Sequence, residues 1–447
     1  MRVPVSTPSS PSKPLSLGVI FLTLYIDLIG FSIFFPLGPE LLRYYIAHEP
    51  AGGLFTNLFS HLQALAHSSH VPEMATGALF AGLIGSIYAF MQFIFSPVWG
   101  ARSDRAGRRP VLLLTVAGNV LSYLLLVFSG SFLVFLASRV LAGIMGGNLA
   151  VAVASVADVT TRENRAKGMG IVGAAFGLGF LTGPAIGGLT SGINLLAQHP
   201  QLAAWGIHPF SVPAAIGLGL CLLNLVWIAA RFHETLPPEK RGAGITLRER
   251  NPLRALLTLP DRAIRRANVV GFLLTFGFSF FETLITFFMA DRFGYTPRDL
   301  VSIFVYNGTV SILTQGFLVR RFVPKIGEKR AATFGLSLVA LGMLGIGLSV
   351  GWARSVPWLF VALTCCSVGS GFANVGLQSL ISLYAAADEQ GKVTGIFRSL
   401  GFLARAASPA VAGVLFFQFG GTVAFALAAA LLCVPAALST ALPQPHK

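Results

Sequence analysis

The chain has 447 residues, of which 54% are hydrophobic and only 11% are charged, and its mean hydropathy is +0.73. A soluble domain carries about 25% charged residues, so this composition excludes an ordinary soluble protein and indicates a polytopic membrane protein. The formal net charge of +15 does not indicate a nucleic-acid partner, because the basic residues fall in short loops at alternate ends of apolar runs, as membrane topology requires.

Twelve apolar runs are long enough to cross a hydrocarbon core of about 30 Å as helices. They predict an all-α polytopic membrane protein with twelve transmembrane helices. The predicted spans are 16–38, 76–100, 110–129, 131–156, 167–190, 211–231, 267–290, 299–319, 331–352, 356–384, 392–418 and 420–441. The polar N-terminus lacks a small-residue cleavage site, so the first run is predicted to be a span and not a signal peptide.

Topology follows from the positions of the Lys and Arg residues. With the N-terminus inside, 25 of the 32 fall in inner segments and four in outer segments, so both termini are predicted to be cytoplasmic. The predicted units are a disordered cytoplasmic N-terminus, a six-helix bundle containing an outer loop (39–75), a basic cytoplasmic linker, a second six-helix bundle and a cytoplasmic tail. Their bounds are 1–15, 16–231, 232–266, 267–441 and 442–447.

The two bundles resemble copies of one repeat. Tyr25-Ile-Asp27-Leu-Ile in span 1 aligns with Phe280-Phe-Glu282-Thr-Leu in span 7, and Gly183-Pro184 in span 5 aligns with Ser408-Pro409 in span 11. The loop Gly100…Gly107-Arg-Arg aligns with Gly316…Gly327-Glu-Lys. Two six-helix repeats around a linker indicate a transporter whose site lies between the repeats near the membrane midplane.

Several chemistries find no support in the sequence. The four cysteines lie inside apolar runs without CxxC or Cys/His spacing, so neither a disulfide framework nor a metal site is expected. No Gly-rich phosphate loop with Lys and no nucleophile–base pair is present. We therefore expect neither an enzyme nor an ATP motor, and no cofactor beyond a proton gradient.

Four motifs resemble the major facilitator superfamily. Gly100-x-x-x-Asp104-x-x-Gly107-Arg108-Arg109 is similar to its loop 2–3 signature, and Arg139-Val-Leu-Ala-Gly143-Ile-Met-Gly146 is similar to its span 4 motif. The glycine-rich stretch from Gly173 to Gly188 resembles the span 5 motif of drug/proton antiporters. Asp27-Leu-Ile-Gly30-Phe-x-x-x-x-Pro36 resembles the span 1 motif of twelve-span tetracycline-resistance exporters.

The resemblance implies two six-helix bundles around a central cavity lined by spans 1, 4, 7 and 10. It also implies export of small amphiphilic organic molecules in exchange for protons by alternating access, that is, multidrug-type efflux. Two arginines in the cavity, Arg398 and Arg405, would also suit anionic substrates. The expected partners are a small-molecule substrate, protons and the lipid bilayer, and the expected state is a monomer. A proton-coupled importer of an organic metabolite and a non-transporting receptor or scaffold stay open as alternatives.

Ionisable side chains near the bilayer centre are costly and mark functional candidates. Asp27 and Arg139 both lie near mid-membrane, and the resemblance places spans 1 and 4 together. One interpretation is a proton-carrying carboxylate whose pKa Arg139 tunes, and the other is a permanent ion pair. Glu282, the repeat mate of Asp27, is predicted to pair with Arg405, while Arg398 shares the helix face of Arg405.

The loop between spans 2 and 3 is predicted to act as a conformational latch. Its residues, with their partner on span 4, are Gly100, Asp104, Arg105, Gly107, Arg108, Arg109 and Asp158. The resemblance suggests that Asp104 meets the start of span 11 near Gly391 and that Arg108 pairs with Asp158; the alternative role is topology alone. The repeat carries Arg320 where Asp104 would lie, so the latch is expected to be one-sided.

Small and aromatic residues complete the candidate site. The span 5 residues Gly173, Gly177, Gly183, Pro184, Gly187 and Gly188 are predicted to let another helix approach closely. An aromatic cavity with few polar groups suits flat amphiphiles. The candidate cavity residues are Tyr25, Phe31, Gln92, Asn148, Phe278, Phe281, Tyr306, Asn307, Asn374 and Gln378.

Overall fold

A computed structural model of the chain describes residues 17–50, 52–65, 73–160, 165–242, 256–257, 259, 261–349, 356–385 and 390–444. These residues form helices and short connections, with no strand among them. The all-α fold class predicted from the sequence is confirmed.

The N-terminal half contains spans 1 to 6. Their helices are Leu17–Ser32 (span 1), Glu73–Ala106 (span 2), Arg108–Val127 (span 3), Phe132–Met145 with Asn148–Val159 (span 4), Arg165–Thr190 (span 5) and Ser211–Arg231 (span 6). Span 4 is interrupted at Gly146 and Gly147, where Gly146 accepts a hydrogen bond from the Gln92 amide at 2.9 Å. The interruption turns the second part of span 4 so that it begins with Asn148.

The C-terminal half contains the remaining spans. Their helices are Arg262–Phe293 (span 7), Pro297–Leu313, a π-helical turn Thr314–Leu318 and Val319–Ile326 (span 8), Glu328–Leu348 (span 9), Val356–Tyr384 (span 10) and Gln390–Thr440 (spans 11 and 12). The last helix contains an apolar segment, Val393–Thr440, of 48 residues. That segment would be about 72 Å long, more than twice the hydrocarbon thickness, and its backbone leaves the helical region at Gly420 (φ 78°, ψ 168°).

We number the parts before and after Gly420 as spans 11 and 12. In the described part of the chain, eleven helical segments are long and apolar enough to cross a membrane, this long one counted once. The total of twelve crossings and the cytoplasmic position of both termini stay predictions.

The region predicted as a long outer loop is partly helical. Gly38–His48 and Leu54–Leu65 form helices in it, and Phe55 is only 1% exposed because it packs 5.1 Å from the rings of Phe80 and Phe132. Apolar residues in this region therefore cover the outer ends of spans 2 and 4. The prediction of an outer loop at 39–75 did not include these helices.

The two halves repeat one turn that the sequence alignment marked. Gly107 (φ 99°) stands between spans 2 and 3, and Gly327 (φ 84°) stands between spans 8 and 9. A positive φ is disfavoured for residues with a Cβ atom, so both turns depend on glycine. Equal geometry at equal positions supports the interpretation of the halves as copies.

Spans 5 and 8 form one contact between the halves, and this contact is tight only at its outer end. A Cβ added to Gly188, near the outer end of span 5, would lie 2.5 Å from the carbonyl oxygen of Pro297 in span 8. A Cβ added to Gly173, near the inner end, would lie 3.7 Å from Gln315. The helices therefore separate towards the inner side.

Spans 2 and 11 form the second contact, with the same asymmetry. A Cβ on Gly413, in the outer half of span 11, would lie 2.8 Å from the Cα atom of Leu79. On Gly395 and Gly401, in the inner half, it would have no atom of the described residues within 4 Å. The halves thus meet at the side predicted to be outer and diverge at the side predicted to be inner.

Candidate functional site

Asp27 lies in span 1 with its carboxylate held by two amides. Its Oδ1 atom accepts a hydrogen bond from Asn119 of span 3 at 3.3 Å, and its Oδ2 atom accepts one from Asn148 of span 4 at 3.2 Å. Both asparagines are buried, at 6% and 3% exposure. The two amides donate hydrogen bonds to the carboxylate, and neither carries a positive charge that would hold it ionised. Asn148 was predicted; Asn119 was missed, although a lone Asn in an apolar run was a usable signal.

Arg139 does not pair with Asp27, so the predicted alternative of a permanent ion pair is wrong. Its Nε atom lies 3.3 Å from the Ser138 hydroxyl, and its guanidinium lies 5.5 Å and 5.9 Å from the ring centres of Phe34 and Phe135. Its Nη2 atom is buried and has no hydrogen-bond partner among the described residues. The amides on spans 3 and 4 occupy the positions around Asp27 that the arginine would need.

An aromatic cluster closes the outer end of the space between the halves. The ring of Phe31 lies 5.1 Å from Tyr88 and 6.0 Å from Phe180, and Phe35 lies 6.3 Å from Phe304 of span 8. The last contact joins the two halves. We call these five residues the aromatic roof.

The C-terminal half contains the pair that the sequence predicted. The Arg405 guanidinium donates through Nη2 to Oε1 of Glu282 at 3.2 Å, and its Nη1 atom lies 3.1 Å from Oε2 in the same ion pair. Side-chain exposure is 36% for Arg405 and 19% for Glu282, so the pair is only partly desolvated. Ser279 adds a long hydrogen bond of 3.5 Å to Glu282. Arg398 is half-buried on the same helix, two turns closer to the inner end.

Most of the other predicted polar cavity residues bond to neighbouring helices or turns. The Tyr306 hydroxyl bonds to Thr364 at 2.6 Å, Asn307 accepts from Ser367, and Asn374 donates to the Ser370 carbonyl at 2.9 Å. The Gln92 amide is engaged at Gly146. These side chains fix spans 2, 8 and 10, so they are less free to bind a ligand than the prediction assumed.

The remaining predicted cavity residues differ in exposure. Gln378 is exposed and Phe278 is half-buried. Phe281 is only 4% exposed and belongs to the packed core, although its ring lies 5.6 Å from that of Phe278. Tyr25 stacks on Phe21 within span 1, with ring centres 5.7 Å apart. Phe281 is therefore unsuited to direct substrate contact in this conformation.

The predicted pair of Arg108 and Asp158 is present at the inner surface. Arg108 donates to Asp158 at 2.9 Å, to Asp104 at 2.6 Å and to the Ser103 hydroxyl at 2.7 Å, and its side chain is only 8% exposed. Arg108 thus joins spans 2, 3 and 4. The contact of Asp104 with the start of span 11 near Gly391 stays a prediction, because the side chains there lie outside the described residues. Arg105 and Arg109 are exposed, and Arg109 donates to the Ala229 carbonyl at 2.7 Å.

Glu234, directly after span 6, completes this inner cluster. Its carboxylate accepts from the backbone N–H groups of Arg108 at 2.8 Å and Arg109 at 3.2 Å. These are free donors at the start of span 3, where Gly107 offers no side-chain cap, and an acid at a helix N-terminus is stabilising. Sequence reasoning missed this role. Its signal was an acid in the first residues of the linker.

The span 5 glycines face two helices, where one face was predicted. Gly183 and Gly187 lie against span 1, where an added Cβ would collide with Ile29 and Ile33. Gly188 and, more loosely, Gly173 and Gly177 lie against span 8. Span 5 therefore packs tightly within its own half and more loosely, towards the inner side, across the interface. Pro184 lies inside this helix.

Comparisons with known proteins agree with this architecture. The family model for the Major Facilitator Superfamily matches residues 20–409. Major facilitator superfamily domain-containing protein 10 of Bos taurus is 33% identical, covering 100% of this chain and 96% of that protein. The class C tetracycline resistance protein of Escherichia coli is 29% identical, covering 94% and 95%. The crystal structure of the human organic anion transporter MFSD10 (TETRAN) superposes with a TM-score of 0.76 at 32% identity, covering 96% of this chain and 100% of that one.

Proposed function

The chain belongs to the major facilitator superfamily, and we propose that this multi-pass membrane transporter exports small amphiphilic or anionic organic compounds in exchange for protons by alternating access. The two groups of relatives support the substrate class: one is described as an organic anion transporter and the other as tetracycline resistance proteins. Transport, and no enzymatic reaction, is the activity of this family.

Asp27 carries the proposal of proton coupling. Of the two acids predicted within spans, Glu282 is bound to Arg405, whereas the partners of Asp27 among the described residues are the amides of Asn119 and Asn148. Protonating Glu282 would break an ion pair, but protonating Asp27 breaks none. A carboxylate that gains and loses a proton without losing a counter-ion is the better carrier in a low-dielectric site.

Exchange of an organic anion for a proton is also well driven. One pH unit across the membrane supplies about 1.4 kcal/mol per proton. A membrane potential of 100 mV supplies about 2.3 kcal/mol per charge, and a monoanion leaving while a proton enters moves two charges, so it adds about 4.6 kcal/mol. An inside-negative potential therefore favours export of an anion by this exchange.

The interface between the halves supports alternating access. It is tight at the outer aromatic roof and open at the inner ends of spans 5, 8 and 11. Closing the inner side requires these helices to approach, and the glycines at 173 and 177 leave room on span 5 for that approach. The Arg108 cluster lies at the same inner side and links three spans that must then move together.

A liposome experiment tests the proposal. Purified full-length chain is reconstituted into vesicles with an acidic interior, and uptake of labelled tetracycline or 1-naphthaleneacetate is followed. Exchange predicts that substrate accumulates on the acidic side and that Asp27→Asn abolishes gradient-driven accumulation. Asp299→Asn, the same change at an outer helix cap, should leave it intact. Accumulation that persists in Asp27→Asn, or movement towards the alkaline side in excess of protein-free vesicles, would contradict the proposal.

A further inference from the structure

Arg139 differs from Arg108 and Arg405, whose acidic partners the structure shows. Arg108 has two carboxylate partners and Arg405 has one. Among the described residues no acid pairs with Arg139, whose guanidinium instead lies near the rings of Phe34 and Phe135 and the Ser138 hydroxyl. Its Nη2 atom is buried without a hydrogen-bond partner among the described residues. A positive charge is therefore held inside the N-terminal half without the protein's own counter-ion.

This arrangement is unfavourable for a residue with a purely structural role. An unpaired charge in a low-dielectric site is costly, and a buried hydrogen-bond donor without an acceptor adds to that cost. The cation–π contacts with Phe34 and Phe135 offset part of this free-energy cost. The sequence provides acids elsewhere in the membrane region, so the missing counter-ion at Arg139 indicates that an anion arrives from outside the protein.

The surroundings define the chemistry of that anion. As a whole residue Arg139 is of intermediate exposure, while its Nη2 atom is buried, so an anion must displace groups that now cover the guanidinium. A planar guanidinium binds carboxylates through two parallel hydrogen bonds. One helical turn after Arg139 on span 4, a Cβ added to Gly143 would lie 2.5 Å from the Tyr88 carbonyl oxygen, and the Tyr88 ring lies 5.1 Å from that of Phe31 in the aromatic roof. A ligand with a carboxylate and a flat aromatic ring matches this combination.

We propose that Arg139 binds the carboxylate of an aromatic organic anion, whose ring lies against the aromatic roof on the side of Tyr88. The proposal rests on the proposed transport function and deepens it by naming the anion contact. Asp27 keeps its two amide partners and stays available for the proton, so substrate charge and proton use separate groups of the same half. Arg405 is already neutralised by Glu282 and is not the anion contact.

Binding in detergent, without a gradient, tests the proposal separately from proton coupling. The probes are 1-naphthaleneacetate and its neutral analogue 1-naphthaleneacetamide, measured by ligand-dependent thermal shift near neutral pH. The wild type should bind the carboxylate about 10- to 100-fold more tightly than the amide, as expected for a charge-assisted contact. Arg139→Gln should remove this preference while the amide's affinity stays the same. Arg405→Gln, the matched control in the other half, should retain it.

The unfolding temperature of each ligand-free variant shows whether misfolding explains a loss of binding. Arg139→Gln removes an unpaired charge and should not lower the unfolding temperature, and Arg139→Lys should keep part of the carboxylate preference. A wild type without preference for the carboxylate, or a preference kept in Arg139→Gln, overturns the proposal. Neither result affects the liposome test of proton exchange, which fails if accumulation persists in Asp27→Asn or if substrate moves towards the alkaline side.

Discussion

The two halves carry equivalent acids in the membrane but use them differently. The repeat aligns Asp27 on span 1 with Glu282 on span 7, and arginines lie deeper in each bundle, Arg139 in one half and Arg398 and Arg405 in the other. In the C-terminal half the acid and an arginine bind each other at 3.1 Å. In the N-terminal half Asp27 is bound by amides, and Arg139 has no acid beside it. One half is internally neutralised, and the other leaves both charges available.

The difference arises from where the arginine lies in the repeat. Arg139 is on span 4, and its repeat counterpart, span 10, contains no Lys or Arg. Arg405 is on span 11, whose counterpart, span 5, has none from Ile171 to Thr190. The repeated acid therefore meets an arginine in only one half. A repeat alignment identifies equivalent acids but does not show which of them is paired.

Removal of Arg108 should cause the largest difference in stability between matched changes in the two halves. Among the described residues, the cluster of Arg108 with Asp104 and Asp158 is found in the N-terminal half. Arg108→Gln leaves Asp104 and Asp158 without their shared cation, and loss of one member of a buried charge cluster costs about 3 kcal/mol. Lys329→Gln at the start of span 9 is the control in the other half and should change stability by less than about 0.5 kcal/mol. Denaturant unfolding in micelles measures both, and equal losses would contradict the one-sided latch.

A pair of double-mutant cycles tests the charge comparison directly. Glu282 and Arg405 are in contact, so the coupling energy between Glu282→Gln and Arg405→Gln should be about 1–2 kcal/mol. This value is smaller than for a buried pair because the Arg405 side chain is 36% exposed. Asp27→Asn and Arg139→Gln should be additive within about 0.5 kcal/mol, because these residues share no bond. Strong coupling in the N-terminal cycle would show that Asp27 and Arg139 interact after all.

Patterns that depend on local sequence were predictable. Apolar runs and basic loops identified the membrane helices, and the glycines at 107 and 327 adopt the same positive-φ turn that their alignment indicated. The pair of Glu282 with Arg405 was also predicted, because both are isolated charges in apolar spans. In such spans a charge has few possible partners, and this scarcity makes pairing predictable.

Features that depend on packing between distant spans were not predictable. Asn119 reaches Asp27 across 92 residues, and Glu234 caps span 3 across 126 residues. Each residue carried a local signal, a lone Asn in an apolar run and an acid at the start of the linker, but that signal does not identify the distant partner. The isolation of Arg139 was missed for the same reason: it depends on Asn119 and Asn148 reaching Asp27 first, which only the arrangement of spans 1, 3 and 4 determines.

The smallest expected effect is a pH dependence of stability that belongs to the N-terminal half alone, because no histidine occurs between residues 267 and 441. His208 lies outside the spans and is fully buried. Its Nε2 atom lies 3.0 Å from the Leu126 carbonyl, and its Nδ1 atom accepts from the Phe210 N–H at 3.3 Å. A second proton, on Nδ1, would face that N–H donor.

Burial lowers the pKa of His208 below its usual 6.5. The unfolded chain therefore binds more protons than the folded one as pH falls through about 6.5, and stability contributed by neutral His208 is full above that value and lost below it. The unfolding temperature of the wild type should fall between pH 7.5 and 5.5 by more than that of His208→Gln, which keeps a donor and an acceptor. Parallel decreases in the two proteins would place the pH sensitivity elsewhere and remove this distinction between the halves.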